Sequence, residues 1–208
     1  MGWPLSVQFL RLAGSADDRL PGSVASVTIS FVRLDPTGDD RDGLVDFMTR
    51  NEFPFHVRTC LTSEQVGASI AEGAFRDEDN DSFWIEHDEL GRIGFFRLED
   101  LTDGAPLFDL RLDGAFRGRG LGVPILRAAA DHVFGTMPAV NRFEGQTRED
   151  NIAMRKTFLR AGWVKEAHYR QGWPVEGGAP VASVAYGILR QDWESGGTST
   201  FDWDDLGD

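Results

Sequence analysis

The chain has 208 residues, with 34 acidic against 21 basic side chains and a formal net charge of −13. That length fits one domain with short appendages, and 41% hydrophobic and 11% aromatic residues suffice for a real core. Such acidity excludes a general nucleic-acid binder. The single cysteine, Cys60, excludes an internal disulfide framework or a cysteine-built zinc site, and no apolar run reaches the roughly 18 residues needed to span a bilayer.

The first residues are apolar in places (Leu5, Val7, Phe9, Leu10) but lack a basic leader and carry Arg11. No secretory signal is expected, and a reducing cytoplasm is the expected location. The expected organisation is an N-terminal extension over 1–26, one domain over 27–190 and an acidic tail over 191–208. From Asp192 to Asp208 there are six acids and no Lys or Arg, and a second acidic run holds Asp77, Glu78, Asp79 and Asp81. Both read as solvated segments; attraction of a cationic substrate is the alternative.

Within the domain, Val27, Ile29, Phe31 and Val32 predict a first strand over 27–34. A helix follows near 40–50, capped by Asp39 or Asp40, with Leu44, Phe47 and Met48 inward. Asn51 to Val57, with Pro54, is a break. A second helix starts after Thr62 or Ser63 and runs to Phe75. Strands over Phe83–His87 and Arg92–Leu98 flank a turn at Asp88–Gly91. A further strand, Leu107–Leu112, alternates Phe108, Leu110 and Leu112 with Asp109 and Arg111. A glycine-rich turn then leads into a helix starting near Gly120, striped by Leu121, Ile125, Ala128, Ala129 and Val133, with Pro124 tolerated in its first turn. A strand over Val140–Thr147 precedes a helix opened by Asp150 or Asn151 and stopped by Gly162. Strands over Trp163–Tyr169 and Val181–Leu189 complete the order β-α-α-β-β-β-α-β-α-β-β. An α/β (α+β) fold, a mixed and mostly antiparallel sheet of six to seven strands with helices on both faces, satisfies that order.

The turn Arg117–Gly122 reads RGRGLG. Its glycines permit positive φ and close approach of a ligand to the backbone, and amides at a helix start have no intrahelical partner. With two arginines and the helix dipole, this is a site for an anion, most simply a pyrophosphate. Gly118, Gly120 and Gly122 give G-x-G-x-G, which is neither the dinucleotide fingerprint nor a P-loop.

R-x-x-G-x-G after this strand resembles the pyrophosphate-binding signature of the GNAT N-acetyltransferases, and the resemblance extends over residues 27–190. Leu110, Arg111 and Leu112 stand where that family's strand bulges and its backbone binds the acetyl carbonyl and pantetheine. Asn151, Phe158, Gly162 and Trp163 match N-x-x-x-x-x-x-[YF]-x-x-x-G-[FW]. Lys165, Glu166 and Arg170 resemble a stretch of the ribosomal-protein alanine N-acetyltransferase (RimJ/RimL-like) branch. The resemblance implies acetyl-CoA as co-substrate, no metal, and transfer of acetyl to a primary amine of a small molecule or a protein N-terminus. It further implies pyrophosphate binding by Arg117, Gly118, Arg119, Gly120, Leu121 and Gly122, and a pantetheine contact at Asn151. Neither nucleic acid nor membrane is an expected partner, and a homodimer is expected, since members of this fold often pair through their last strands.

Amine attack on a thioester needs a proton acceptor, an oxyanion donor and an exit for the thiolate. The oxyanion donor falls to the bulged strand. Phe158 stands where many members carry Tyr and has no proton to give. The thiolate therefore leaves unaided, or Tyr169 or His168 supplies the proton. Glu144 is the expected base, directly or through water, with Asp109 a weaker rival because alternation turns it from the face of Leu110. His56 is expected to contact the acceptor or act as base. His87 and His132 read as structural. A non-catalytic acyl-CoA-binding regulatory module is the competing function, and the tail residues Phe201 and Trp203 suggest a docking role.

Overall fold

The computed structural model describes residues 27–203, so the expected extension over 1–26 and the end of the tail, 204–208, lie outside the described residues. Strands β1 (Ile29–Arg33), β2 (Asp81–His87), β3 (Gly91–Glu99) and β4 (Leu107–Leu112) form an antiparallel sheet in that order. Strands β5 (Arg142–Arg148), β6 (Val164–Trp173) and β7 (Val181–Leu189) form a second antiparallel sheet, with β7 central. The single sheet expected from the sequence is thus two, because β4 and β5 lie side by side without forming a ladder.

Helices α1 (Arg41–Arg50) and α2 (Ser63–Ala71) cover one face of the first sheet. Their Leu44, Phe47, Met48, Val66 and Ile70 bury against Trp84 and Phe95. Thr62 opens α2 by a reciprocal capping box with Gln65. Helices α3 (Gly122–Thr136) and α4 (Ile152–Arg160) lie on the opposite side. There Ile125, Leu126, Ala129, Val133 and Phe158 join Phe83, Ile85, Phe96, Phe143 and Tyr186 in the larger core. Asn151 caps α4 by accepting from the Met154 N–H at 3.2 Å, and Gly162, at φ 93°, ends it.

A bulge was expected in β4, but the β3–β4 register from Gly94–Leu112 to Glu99–Leu107 runs unbroken. The irregularity lies one strand over, between β2 and β3 at Ile85/Glu86, where the extra residue Ile93 turns into the larger core.

A short helix α5 (Arg190–Ser195) was not foreseen. The Arg190 guanidinium donates to the carbonyls of Phe134, Met137 and Val140, satisfying the C-terminal end of α3. That anchor seats Trp193 against Phe134 and buries Asp192, which accepts from Ser199. The start of the acidic tail is therefore packed on the domain rather than solvated.

What fixes the separation of the sheets is a contact at one end. Phe108 of β4 packs against Phe143, Phe158 and Trp163, and a side-chain carbon on Gly145 would stand 2.6 Å from Phe108 and 2.7 Å from Phe158. Gly145→Ala should therefore destabilise the protein by about 1–3 kcal/mol through overpacking. Urea unfolding measures this, and an unchanged midpoint would contradict the packing described.

Candidate active site

The Glu144 N–H donates to the Pro106 carbonyl at 3.0 Å, joining β5 and β4 at their beginnings. Beyond it the strands part. Pro106 turns its carbonyl toward β5, the Leu112 carbonyl accepts from Arg117 Nε at 2.9 Å, and the Asp113 N–H bonds back to Ile93 of β3. Because backbone groups alternate sides along a strand, the N–H groups of Leu110 and Leu112 point into the gap.

Two cavities meet in that gap. One, of about 470 Å³, runs over Leu110, Arg111 and Leu112 to Arg117, Gly118, Gly120, Leu121 and Gly122, with Lys156, Thr157 and Arg160 of α4 on its far wall. The other, of about 540 Å³, lies between Asp109 and Arg111 of β4, Gln146 and Thr147 of β5, and Arg58, Phe75 and Trp173. Phe55, His56, Leu110, Arg111, Asn151 and Met154 line both. Phe55–His56 belongs to the break foreseen after α1, which roofs the gap. Its His56 bonds to β4, its Pro54 carbonyl accepts from Arg148 of β5, and its Val57 carbonyl accepts from the Glu176 N–H.

The first cavity suits an anion. Its charged lining is Arg111, Arg117, Lys156 and Arg160, without a carboxylate, in a chain of net charge −13. At the turn, Gly118 and Gly120 adopt φ of 73° and 80°, so the backbone there excludes most side chains. Among the described residues, the amides of Gly118, Arg119, Gly120, Leu121 and Gly122 donate to no backbone or side-chain acceptor. Gly122 also lets α4 approach closely, since a side-chain carbon there would stand 2.8 Å from Thr157. Arg119, however, is exposed over the Phe116 ring and outside the cavity lining. Asn151 lines the cavity, but its side chain is engaged in the α4 cap and in donating to Thr147 Oγ1 at 3.0 Å.

The second cavity centres on Asp109. Its carboxylate accepts from His56 Nε2 at 2.9 Å and Arg111 Nε at 2.9 Å, with Arg97 3.8 Å away. Burial opposes its ionisation, but the charge of Arg111, the hydrogen bond from His56 and the charge of Arg97 prevail and hold it well below the usual carboxylate range. With Nε2–H directed at Asp109, the neutral imidazole keeps its lone pair on Nδ1, which has no partner and is enclosed by protein.

Three residues expected at the site stand apart from the two cavities. Glu144 shares Arg142 with Glu166, on the face of β5 away from Phe143, and lines neither cavity. Tyr169 is half-exposed on β6, also outside both cavities, because the β6 edge is turned to solvent. His168, the other acid considered, pairs with Glu149 at 3.4 Å. Phe158 is fully buried, stacked on Tyr186 at 4.5 Å with its Cζ against Gly145. Asp109, the weaker rival of Glu144 in the sequence, lines the second cavity together with Glu99. Of the other histidines, His87 accepts hairpin amides from Glu89 and Leu90, and His132 packs beside Phe31 and Phe83.

Comparison with known proteins fits this geometry. The acetyltransferase (GNAT) domain family matches residues 32–164, and the chain belongs to that family. No curated protein matches it. Among solved structures, the spermidine N-acetyltransferase of Vibrio cholerae in complex with CoA and spermine is similar, at 16% identity and TM-score 0.61, covering 82% of this chain and 99% of that one. A chimera of that enzyme, SpeG, with hSSAT has TM-score 0.66 at 14% identity, with the same coverage of 82% and 99%. At such identity these likenesses show the fold. Among the described residues no helix is long and apolar enough to cross a membrane, and no group of His, Cys, Asp and Glu could hold a metal.

Asp109→Asn should cost about 3 kcal/mol near neutral pH, since it leaves Arg111 without its buried counter-charge, Arg97 keeping Glu99. The Asp109 contribution is complete above the ordinary carboxyl value of 3.8. It fades as pH falls below that value, where the unfolded chain takes up a proton that the native carboxylate refuses. Urea unfolding of both proteins should show the stability gap narrowing in acid; a constant gap would contradict an ionised Asp109.

Proposed function

We propose that the protein transfers the acetyl group of acetyl-CoA to a primary amine of a small molecule. One observation carries the reading: a carboxylate-free groove with four cationic side chains, ending on unpartnered amides of a glycine turn, in a strongly acidic protein. A diphosphate fits the amides of Gly118, Gly120, Leu121 and Gly122, beside Arg117. Lys156 and Arg160 suit further phosphate oxygens. Pantetheine would extend along β4, amide to amide with Leu110 and Leu112, and the thioester would reach the junction of the cavities near Asn151 and Met154.

At that junction the amine nitrogen attacks the thioester carbon. The carbonyl oxygen gains the negative charge, for which the unpaired N–H groups on the outer edge of β4 are the nearest fixed donors. His56, oriented by Asp109, takes on Nδ1 the proton that the amine loses, and the loop carrying it uncovers that nitrogen as the acceptor enters. The intermediate then collapses, the C–S bond breaks and the thiolate departs. Glu144 and Tyr169, the base and acid expected from the sequence, have no part in this proposal. No tyrosine hydroxyl reaches the junction, so the thiolate takes its proton from solvent.

A protein N-terminus is the weaker acceptor. Lys165, Glu166 and Arg170, which resemble the ribosomal-protein branch, lie on β6 outside both cavities. A polyamine such as the spermine bound by the Vibrio enzyme would need free carboxylates. Asp109 and Glu99 on the acceptor side are already paired with His56, Arg97 and Arg111. The buried Phe158 favours one second reading, a module that binds the coenzyme without turnover.

Gly120→Asp should raise the Kd for coenzyme A at least tenfold in calorimetry, with the fold retained, because a carboxylate would face the diphosphate. Unchanged affinity would make the turn merely structural. His56→Ala should lower kcat for thiol release on the order of 10²-fold. An unaltered kcat would exclude His56 as base, and coenzyme binding without turnover on any amine would favour the module.

A further inference from the structure

Resting on the acetyl-transfer reading, the acceptor cavity adds information about the substrate. Its charged residues are Arg58, Arg97 and Arg111 against Asp109 and Glu99, with His56 beside them. Both carboxylates are committed. Asp109 is held by His56 and Arg111, and Glu99 by Arg97. Arg58 is exposed at the mouth and, among the described residues, has no ion-pair or hydrogen-bond partner.

The unpartnered buried groups point the same way. Arg97 Nε, Arg111 Nη1 and Trp173 Nε1 have no acceptor, and all three side chains line this cavity. Each of these atoms can only donate. Gln146, on the β5 wall, gives its side-chain carbonyl to Ser183 and keeps its amide N–H groups. The wall therefore offers donors and positive charge in excess, with no free anion to hold a second ammonium group. Buried donors without acceptors are uncommon in folded proteins and are satisfied by partners. The atoms are enclosed by the wall itself, so a ligand reaches them as the side chains adjust around it.

We infer that the acceptor is a small amine that also carries a carboxylate, the amine directed to His56 and the carboxylate to the Arg58, Arg97 and Arg111 side of the cavity. A planar carboxylate matches guanidinium donors in geometry as well as charge. The cavity of about 540 Å³ is of the size that holds one small molecule. The anion also separates this site from the coenzyme groove, because Arg58 and Arg97 line only the acceptor cavity.

The test is calorimetry on the full chain loaded with coenzyme A. The titrants are 4-aminobutyrate, 6-aminohexanoate, lysine and phenylalanine, each beside the carboxamide of the same skeleton, with putrescine and spermidine as pure amines. At least one carboxylate should bind tenfold or more tightly than its carboxamide. Arg58→Ala should remove most of that difference while the Kd for coenzyme A stays unchanged. In thiol-release assays the same carboxylate should show the higher kcat/KM, the advantage lying in KM. Equal or tighter binding of carboxamides or polyamines would overturn the inference, as would Arg58→Ala leaving the preference intact. Failure of coenzyme A itself to bind would instead bring down the acetyl-transfer reading.

Discussion

Among the described residues, the backbone hydrogen bond between the two sheets joins the Glu144 N–H of β5 to the carbonyl of Pro106, just before β4 begins. Past that point the aromatic wedge of Phe108, Phe143, Phe158 and Trp163 holds the strands at a fixed separation, and the backbone of β4 is left open along its outer edge. Open strand edges are normally covered or blunted. Here the edge lines a cavity, roofed by Phe55 and His56, and leads directly to the turn at the start of α3. The two cavities and their junction all follow from this one divergence.

Charge is distributed to match. A chain of net charge −13 repels anions at long range, so a groove that is to hold one must concentrate cations locally. Arg111 and Arg117 do so over one aromatic ring, their guanidinium carbons 4.7 and 5.3 Å from the centroid of Phe53. That stacking fixes two like charges side by side with limited loss of freedom. Arg111 lines both cavities, and its Nε holds Asp109 while its Nη1 is left unpaired.

Most of the fold was legible in the sequence because its signals are local. The helix start after Thr62, the alternation of Leu107–Leu112 and the Gly162 stop each depend on neighbours a few residues away, and all stand within a residue or two of expectation. The glycine turn was legible for the same reason. What was not legible depended on distant contacts. His56 and Asp109 are 53 positions apart, and their pairing follows from the roof loop crossing β4. Alternation set Asp109 opposite Leu110; Leu110 lines both cavities and Asp109 only the second. Glu144 sits on the right strand, yet Arg142, two residues away, claims its carboxylate. Tyr169 offers a hydroxyl, but the sheet order makes β6 the edge strand beyond β7, and there Trp173 reaches the second cavity while Tyr169 lies outside both. The bulge moved from β4 to the β2–β3 pair because Ile93, not a residue of β4, is the one with no opposite partner.

The most direct measurement of the central claim is a crystal structure of the protein with coenzyme A. The account predicts diphosphate oxygens within hydrogen-bonding distance of the amides of Gly118–Gly122, and the pantetheine arm laid along the outer edge of β4 with its sulfur between His56 and Met154. Coenzyme bound elsewhere, or the gap filled by a side chain with the turn amides still unpaired, would contradict it.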